Sequence, residues 1–253
     1  MRCFLPLFKL GIKRRSKDFF ILFYNIVFPV IIIMLLGYLT SKSYGEEFTS
    51  YNYYTIVTIP FCVLMGIISV SYAGQDEKIS NTSYRYMISP ISIVDLVIST
   101  LFSCTAVLSI CNLVTLVVLK CIFRMSFGGK FLAVLFFLMC ESIVVVSMGL
   151  FLGLVCKNLD MLRNIINIPI VIFGFLGGVF FPVSSLNPVI SLIINISPLT
   201  WINRGIVACI YDNNLQLLFN ISCIFVVVSI FMTILTIKFF KKGSLYSECN
   251  KCF

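Results

Sequence analysis

Side chains able to do chemistry are scarce in this chain. It contains no histidine, the residue most used for acid–base catalysis and for binding zinc or iron. It does contain eleven cysteines, but several lie inside apolar runs, where cysteine behaves as a small hydrophobe: Cys62, Cys104, Cys111, Cys140 and Cys223. Cys249 and Cys252 form one close pair without the second pair or histidine that a four-ligand zinc site needs. We therefore expect no metal site.

The sequence also contains no match to a nucleotide-binding loop. Such a loop reads GxxxxGK[ST], with the final hydroxyl on magnesium, and the nearest candidate is Gly128-Gly129-Lys130 followed by Phe131. Phenylalanine cannot bind magnesium. The sequence thus predicts a chain that is not itself catalytic and binds no cofactor.

One acidic residue, Glu141, lies near the middle of a long apolar run. A carboxylate at that depth costs at least about 2.5 to 3.5 kcal/mol unless it is neutral, paired or wetted. It is either a polar wall of a transport path or a hydrogen-bonding group between helices, and the sequence leaves both open. Asn25, Asn112 and Asn167 are candidates for the same two roles, and each interhelical hydrogen bond contributes about 0.6 kcal/mol.

These residues are carried by apolar segments that predict an all-α integral membrane protein. Hydrophobic residues make up 60% of the 253 and charged residues 11%, against about 25% charged in an average soluble domain. A membrane crossing needs about 20 apolar residues, and six runs approach or exceed that length. The predicted transmembrane helices are 19–39, 53–73, 93–119, 131–155, 164–181 and 215–237.

The six predicted helices form one transmembrane domain spanning 19–253. The distribution of basic residues predicts which side of the membrane each loop of this domain faces. The first eighteen residues mix apolar and basic side chains, typical of an amphipathic helix at the cytosolic interface, although a plain basic flank fits equally. With both termini cytosolic, 14 of the 19 Lys and Arg residues fall on the cytosolic side, including the tail 238–253. We expect a multi-pass protein of the plasma membrane, bound by lipid and not by nucleic acid.

One loop disagrees with this orientation, because Lys120, Arg124 and Lys130 fall outside. An anionic substrate or lipid head group is one hypothetical partner for these three charges.

Between the last two helices, segment 182–214 contains a second apolar stretch, 189–196, which is too short to cross. Extending it through Trp201 would make a seventh crossing and place the basic tail outside, against the charge rule. An external re-entrant pair of short helices fits better. Pro182, Pro188 and Pro198 punctuate the segment, and Trp201 suits an interfacial depth.

Three motifs, in order and at matching spacing, resemble the type-2 permeases of the ATP-binding-cassette (ABC) transporter superfamily. The first is the loop DEKISNT at 76–82 with SP at 89–90, where Asn81 replaces the family's usual glycine. The second is GGVFFP at 177–182 with NP at 187–188, and the third is SPLTW at 197–201. Asp95 stands near the place where the family often has a lysine.

The resemblance implies a coupling helix in the loop after the second crossing, which docks on an ATPase; the alternative is an ordinary solvated turn. The matching residues are Glu77, Asn81, Thr82, Ser89 and Pro90. It also implies that Gly177, Gly178, Pro182, Pro188, Pro198 and Trp201 build the external hairpin.

By the same resemblance, the chain is the permease subunit of an exporter. Its partners would be a separate ATPase subunit that holds ATP and magnesium, and a second permease chain, identical or different. The apolar path suggests an amphipathic cargo such as a drug, a peptide or a lipid-like molecule.

Two other functional classes fit less well. A secondary transporter driven by an ion gradient often has matching halves, but the long insert occurs once and no acidic pair is present. An intramembrane enzyme would need a nucleophile with a base, or a metal cluster.

Overall fold

The protein is seen in a computed structural model that describes residues 4–41, 49–79, 92–123, 127, 129–155, 159–180 and 188–240. Within these ranges every regular element is a helix. The helices are α1 (Phe4–Arg15), α2 (Phe19–Leu22), a π-helical segment (Phe23–Val27), α3 (Phe28–Leu39), α4 (Ser50–Ile79), α5 (Ile93–Phe123), α6 (Phe131–Val155), α7 (Leu159–Leu176), α8 (Pro188–Ile196), α9 (Pro198–Ile210) and α10 (Leu215–Phe239). The predicted all-α class is confirmed.

Among the described residues, four helical segments are long and apolar enough to cross a membrane: Ser50–Asp76, Ile93–Phe123, Phe131–Val155 and Leu215–Phe239. They correspond to the second, third, fourth and sixth predicted crossings. Two shorter apolar segments, Phe23–Leu39 and Asn164–Leu176, fall at the first and fifth. The total of six crossings stays a prediction.

Several helices extend beyond the predicted apolar spans. α4 continues past residue 73 to Ile79, and α5 continues past residue 119 to Phe123. Apolar content marks the stretch that suits hydrocarbon, whereas the backbone ladder continues through polar residues at a rise of about 1.5 Å each. The apolar pattern therefore underestimated the length of these two helices.

The centre of the fold is α4, which is the most buried of the four long apolar helices. It packs most extensively against α6, where Gly74 of α4 meets Gly153 of α6, and Val70 of α4 meets Gly149. A Cβ atom at Gly153 would lie 2.5 Å from the Ser71 carbonyl oxygen and 2.8 Å from Gly74 Cα. Small residues thus permit a backbone-to-backbone approach within one chain, as the small-xxx-small spacing predicts.

The helix bundle has two distinct ends. At the first, the α1 end, Leu7 of α1 packs with Leu96 of α5, Leu154 of α6 and Phe240 after α10. At the opposite end, the hairpin end, Tyr53 of α4 reaches the turn after α7, and the α5–α6 connection contacts the last turn of α9. Successive long helices therefore run in alternating directions.

We expect Gly153→Ala to destabilise the protein. The added methyl group would collide with backbone atoms of α4, and overpacking costs about 1 to 3 kcal/mol, more than the roughly 1 kcal/mol that alanine gains over glycine in a helix. The measurement is thermal unfolding of the purified protein in detergent. Gly66→Ala is the matched control, because its Cβ would meet only a side chain, Val145, at 3.3 Å. Equal melting temperatures for the two variants would contradict the close approach.

Candidate functional site

At the α1 end, a buried arginine joins α1 to α4. Arg15, the last residue of α1, is 2% exposed. Its Nη2 donates a 2.8 Å hydrogen bond to the Ala73 carbonyl oxygen, and its Nη1 lies 3.5 Å from Asp76 Oδ2. Arg14 Nη2 lies 3.7 Å from the same carboxylate oxygen. Cations near the last turns of a helix also interact favourably with its dipole.

α1 also packs closely against α5. Gly11 packs so closely on Ser103 that an added Cβ would overlap the serine side chain, and the rings of Phe4 and Phe102 meet edge to face at 6.2 Å. The basic side chains Lys9 and Lys13 lie on the exposed face. α1 is thus a two-faced helix whose inner face is fixed to α5 and whose final residue is fixed to α4.

The segment predicted to couple to an ATPase begins within the last residues of α4, at Asp76. Glu77 lies in the last turn of α4, and its side chain is outside the described residues. Asn81, Thr82, Ser89 and Pro90 also lie outside the described residues. Arg15 contacts the first residue of this segment, Asp76.

The first crossing carries a feature that the sequence analysis missed. Residues Phe23–Val27 form a π-helical segment, with the Phe28 N–H bonded to the Phe23 carbonyl. Pro29 has no N–H, so it cannot donate to the carbonyl of Asn25, four residues before it. Thr115 of α5 offers a donor in its place: its Oγ1 lies 2.9 Å from the Asn25 carbonyl oxygen and equally 2.9 Å from the Cys111 carbonyl oxygen of its own helix, and the two share its one hydrogen. The sequence signal for this π-helical segment was Pro29, which follows the polar residue Asn25 by four positions.

Two of the four asparagine and glutamate candidates, Asn112 and Glu141, are buried residues of α5 and α6. Asn112 Nδ2 donates a 3.0 Å hydrogen bond to Ser142 Oγ, so Asn112 does bridge two helices. Glu141, next to Ser142, is 1% exposed. Neither of its carboxylate oxygens has a hydrogen-bond partner among the described residues. A position buried within one chain favours the helix-interface interpretation of Glu141.

The remaining two asparagines differ in environment. Asn25 is buried and its Nδ2 donates to the Ile21 carbonyl oxygen at 2.8 Å, inside its own helix. Asn167 is exposed on α7, on a surface that also exposes Asn164, Ile165 and Ile168. Polar amides on an exposed face of an apolar helix are costly against lipid. This face of α7 is therefore suited to a polar path or to another chain.

At the hairpin end, α7 ends in a glycine turn capped by α9. Gly178 has φ +78°, a conformation that suits glycine, and an added Cβ at Gly177 would lie 2.8 Å from Leu199. The last carbonyls of α7 lack helical partners. The Asn203 Nδ2 donates to the Gly177 carbonyl at 2.9 Å, and the Tyr53 hydroxyl donates to the Gly178 carbonyl at 3.0 Å.

The predicted prolines of the hairpin begin its two short helices. Pro188 is the first residue of α8 and Pro198 the first of α9, a favoured position because proline has no N–H to lose there. Pro182 lies outside the described residues. Trp201 is 47% exposed, and its Nε1 donates to the Asn195 carbonyl at 2.9 Å.

The basic loop at the hairpin end has structural partners. Lys130 Nζ donates to the Cys209 carbonyl at 2.6 Å and to Asn213 Oδ1, so it ties the α5–α6 connection to the end of α9. Lys120 Nζ lies 5.5 Å from the centre of the Phe131 ring. Arg124 lies outside the described residues. The charge of Lys130 thus stabilises the last turn of α9, which accounts for one of the exceptions to the orientation rule.

Comparison with known proteins gives one family. A family model described as "ABC-2 type transporter" matches residues 3–211, which include α1, the long helices up to α7, and both helices of the hairpin. No curated protein matches the chain.

We expect Thr115→Val to destabilise the protein, because a buried acceptor left without a donor costs about 1 to 3 kcal/mol. Adding Pro29→Ala should restore stability, since alanine has the N–H that can donate to the Asn25 carbonyl. The measurement is the melting temperature in detergent. Thr100→Val is the matched control on α5, because the Thr100 hydroxyl donates only to Leu96 of its own helix. An equal loss in both single variants would contradict this role of Thr115.

We expect Glu141→Gln to be tolerated, and Glu141→Lys to abolish assembly. A neutral side chain suits a buried position that offers no counterion among the described residues, whereas a permanent charge carries the full cost of burial. Yield and monodispersity of the purified protein report the outcome. A severe loss with glutamine would indicate that the carboxylate itself is required.

Proposed function

The chain belongs to the ABC-2 type transporter family, and on this premise we propose that it is the permease subunit of an ATP-driven exporter. Family membership makes it an ABC-type permease, a multi-pass membrane protein and not the catalytic part of the transporter. The proposal adds a separate ATPase subunit, a second permease chain, export as the direction and an amphipathic cargo.

The observation that carries the proposal is the attachment of α1 to the end of α4. The Arg15 guanidinium holds Ala73 and Asp76, and Asp76 is the first residue of the segment that resembles the coupling helix. A push on that segment by an ATPase would act on α4 and α1 together, because a buried charged hydrogen bond is costly to break. Movements of packed helices as rigid elements are a common form of such switching.

A second permease chain is supported by the exposed face of α7. Asn164 and Asn167 lie there beside Ile168 and Ile172. Such a mixture suits neither bulk lipid nor plain water, and it fits a path shared between two chains. The mixed surface also supports an amphipathic cargo, since apolar walls with a few polar groups are typical of small-molecule sites.

Orientation follows from the two ends of the bundle. The basic residues of α1 and the end of α10 lie at the α1 end, which we place in the cytosol of a plasma-membrane protein. The hairpin end is then external, and α8 and α9 form a re-entrant pair there.

The test is purification of the tagged chain from its native membrane. We expect an ATPase with a GxxxxGK[ST] loop to co-purify, and the reconstituted complex to export ethidium, an amphipathic cation, only with ATP. Retrieval of no ATPase, or transport by the isolated chain down an ion gradient, would refute the proposal.

Within that complex, we expect Arg15→Gln to keep ATP hydrolysis and lose most transport. Glutamine is too short to hold both Ala73 and Asp76, so motion of the coupling segment would no longer be shared with α1. The readout is ethidium exported per ATP hydrolysed. Lys17→Gln is the matched control, because it removes the same charge from an exposed position two residues away. An unchanged ratio in Arg15→Gln would mean that its contacts serve stability alone.

A further inference from the structure

A cavity of about 390 Å³ lies at the hairpin end, between α4, the turn after α7, α9 and the start of α10. Its size is within the range of about 300 to 1,000 Å³ typical of small-molecule sites. Its walls combine apolar and polar side chains with the two turn glycines. The polar side chains are Tyr53, Thr200, Asn203, Arg204 and Asp212, and the apolar ones are Val57, Leu176, Ile194, Val207, Ala208 and Leu217.

One polar group of this cavity is a buried acceptor without a donor. Asn203 is 7% exposed, and its Nδ2 is committed to the Gly177 carbonyl oxygen. That bond fixes which end of the amide is the oxygen. Oδ1 then has no hydrogen-bond partner among the described residues. Asn203 Oδ1 is one of eight buried side-chain atoms without a partner among the described residues, and the only one of them that belongs to a residue lining this cavity. Because buried polar atoms are usually paired, a donor group of a ligand would satisfy it.

The two charges of the cavity are unequally satisfied. Arg204 Nη1 donates to Asn195 Oδ1 at 2.7 Å, and its guanidinium lies 5.8 Å from the centre of the Trp201 ring. Asp212 is exposed, and no salt bridge to it occurs in the described part of the chain. The cation of the cavity is thus already engaged, and the anion is available. Two acceptors, one buried and one charged, favour a ligand rich in hydrogen-bond donors and positively charged.

We propose that this cavity binds an amphipathic primary amine, with the ammonium group donating to Asn203 Oδ1 and facing the Asp212 carboxylate, and the apolar body against Val57, Leu176 and Val207. The site lies within one chain, beside the capped end of α7. The inference rests on the proposed function in one respect, namely that the amine is an exported cargo. Binding itself requires neither ATP nor an ATPase subunit.

The test is equilibrium binding of radiolabelled phenylbutylamine to the full chain in phosphatidylcholine nanodiscs, with empty nanodiscs subtracted. We expect saturable binding, at least about tenfold weaker binding of the trimethylammonium analogue, which has no N–H, and no binding of phenylbutyrate. Trp201, the single tryptophan of the chain, provides a second readout through its contact with Arg204.

Substitutions at Asn203 and at Asp212 test the contribution of each acceptor separately. Asn203→Leu and Asp212→Asn should each weaken phenylbutylamine binding by about tenfold, since a hydrogen bond to a charged group contributes about 1.5 to 3 kcal/mol. Asn220→Leu is the matched control, because Asn220 is an exposed asparagine on α10 that does not line the cavity. Because Asn203 also caps α7, Asp212→Asn, which changes an exposed side chain, keeps the test informative if Asn203→Leu misfolds. Equal binding of the amine and its trimethyl analogue, or no effect of Asp212→Asn, would overturn the proposal.

The same ammonium chemistry has two sources, a free amine or the head group of phosphatidylethanolamine. Nanodiscs containing that lipid distinguish them. Competition by the lipid would assign the site to a head group, and unchanged probe affinity would assign it to soluble amines; both support an ammonium site. Failure of ATP-driven ethidium export with intact phenylbutylamine binding would refute the exporter and leave the site standing. The reverse result would refute the site alone.

Discussion

The structure depends on one constraint, which is that hydrocarbon offers no hydrogen-bond partner to a polar group. Each hydroxyl, amide and carbonyl within the membrane part has to be satisfied by the protein itself. Hydroxyl groups of the long helices therefore donate to carbonyls one turn back in the same helix, as Ser69 does to Gly66 and Ser147 to Val144. Where a proline removes a donor from the backbone, as at Pro29, another helix supplies one through Thr115.

Because this constraint is strict, a buried polar atom without a hydrogen-bond partner is informative. Among the described residues, eight buried side-chain atoms have no hydrogen-bond partner: both carboxylate oxygens of Glu141, the amide oxygens of Asn25 and Asn203, and the hydroxyl oxygens of Tyr54, Thr58, Thr105 and Ser109. Glu141 is enclosed between helices, so its environment is fixed by the fold of one chain. Asn203 lines a cavity of ligand size. The same lack of a partner therefore favours a role in helix packing for Glu141 and a role in ligand binding for Asn203.

The sequence predicted the class of the fold because the apolar runs are long and the charges flank them. Gly149 and Gly153, at small-xxx-small spacing, are the sequence signal for the close contact of α4 with α6, because small residues let helix backbones approach each other. The sequence did not predict the π-helical segment, Arg15 on Ala73 and Asp76, or the Asn203 cap on α7. Each of these depends on which residues of distant segments are in contact, and hydrophobic periodicity carries no information about such contacts. Lys130 is similar: its charge was visible, but its carbonyl partner 79 residues away was not.

α4 is the element through which the two ends of the bundle can affect each other. At one end Arg15 holds its Ala73 and Asp76. Near the other end its Tyr53 donates to Gly178, and Tyr53 and Val57 line the cavity. A helix of 30 residues is about 45 Å long, and α4 contacts α6 through backbone atoms along part of this length. Close-packed helices move as units and not by continuous deformation. Pro60 lies inside α4 between these two contacts and removes a backbone hydrogen bond there, so the effect of a displacement at the α1 end on the wall of the hairpin cavity depends on this point of the helix.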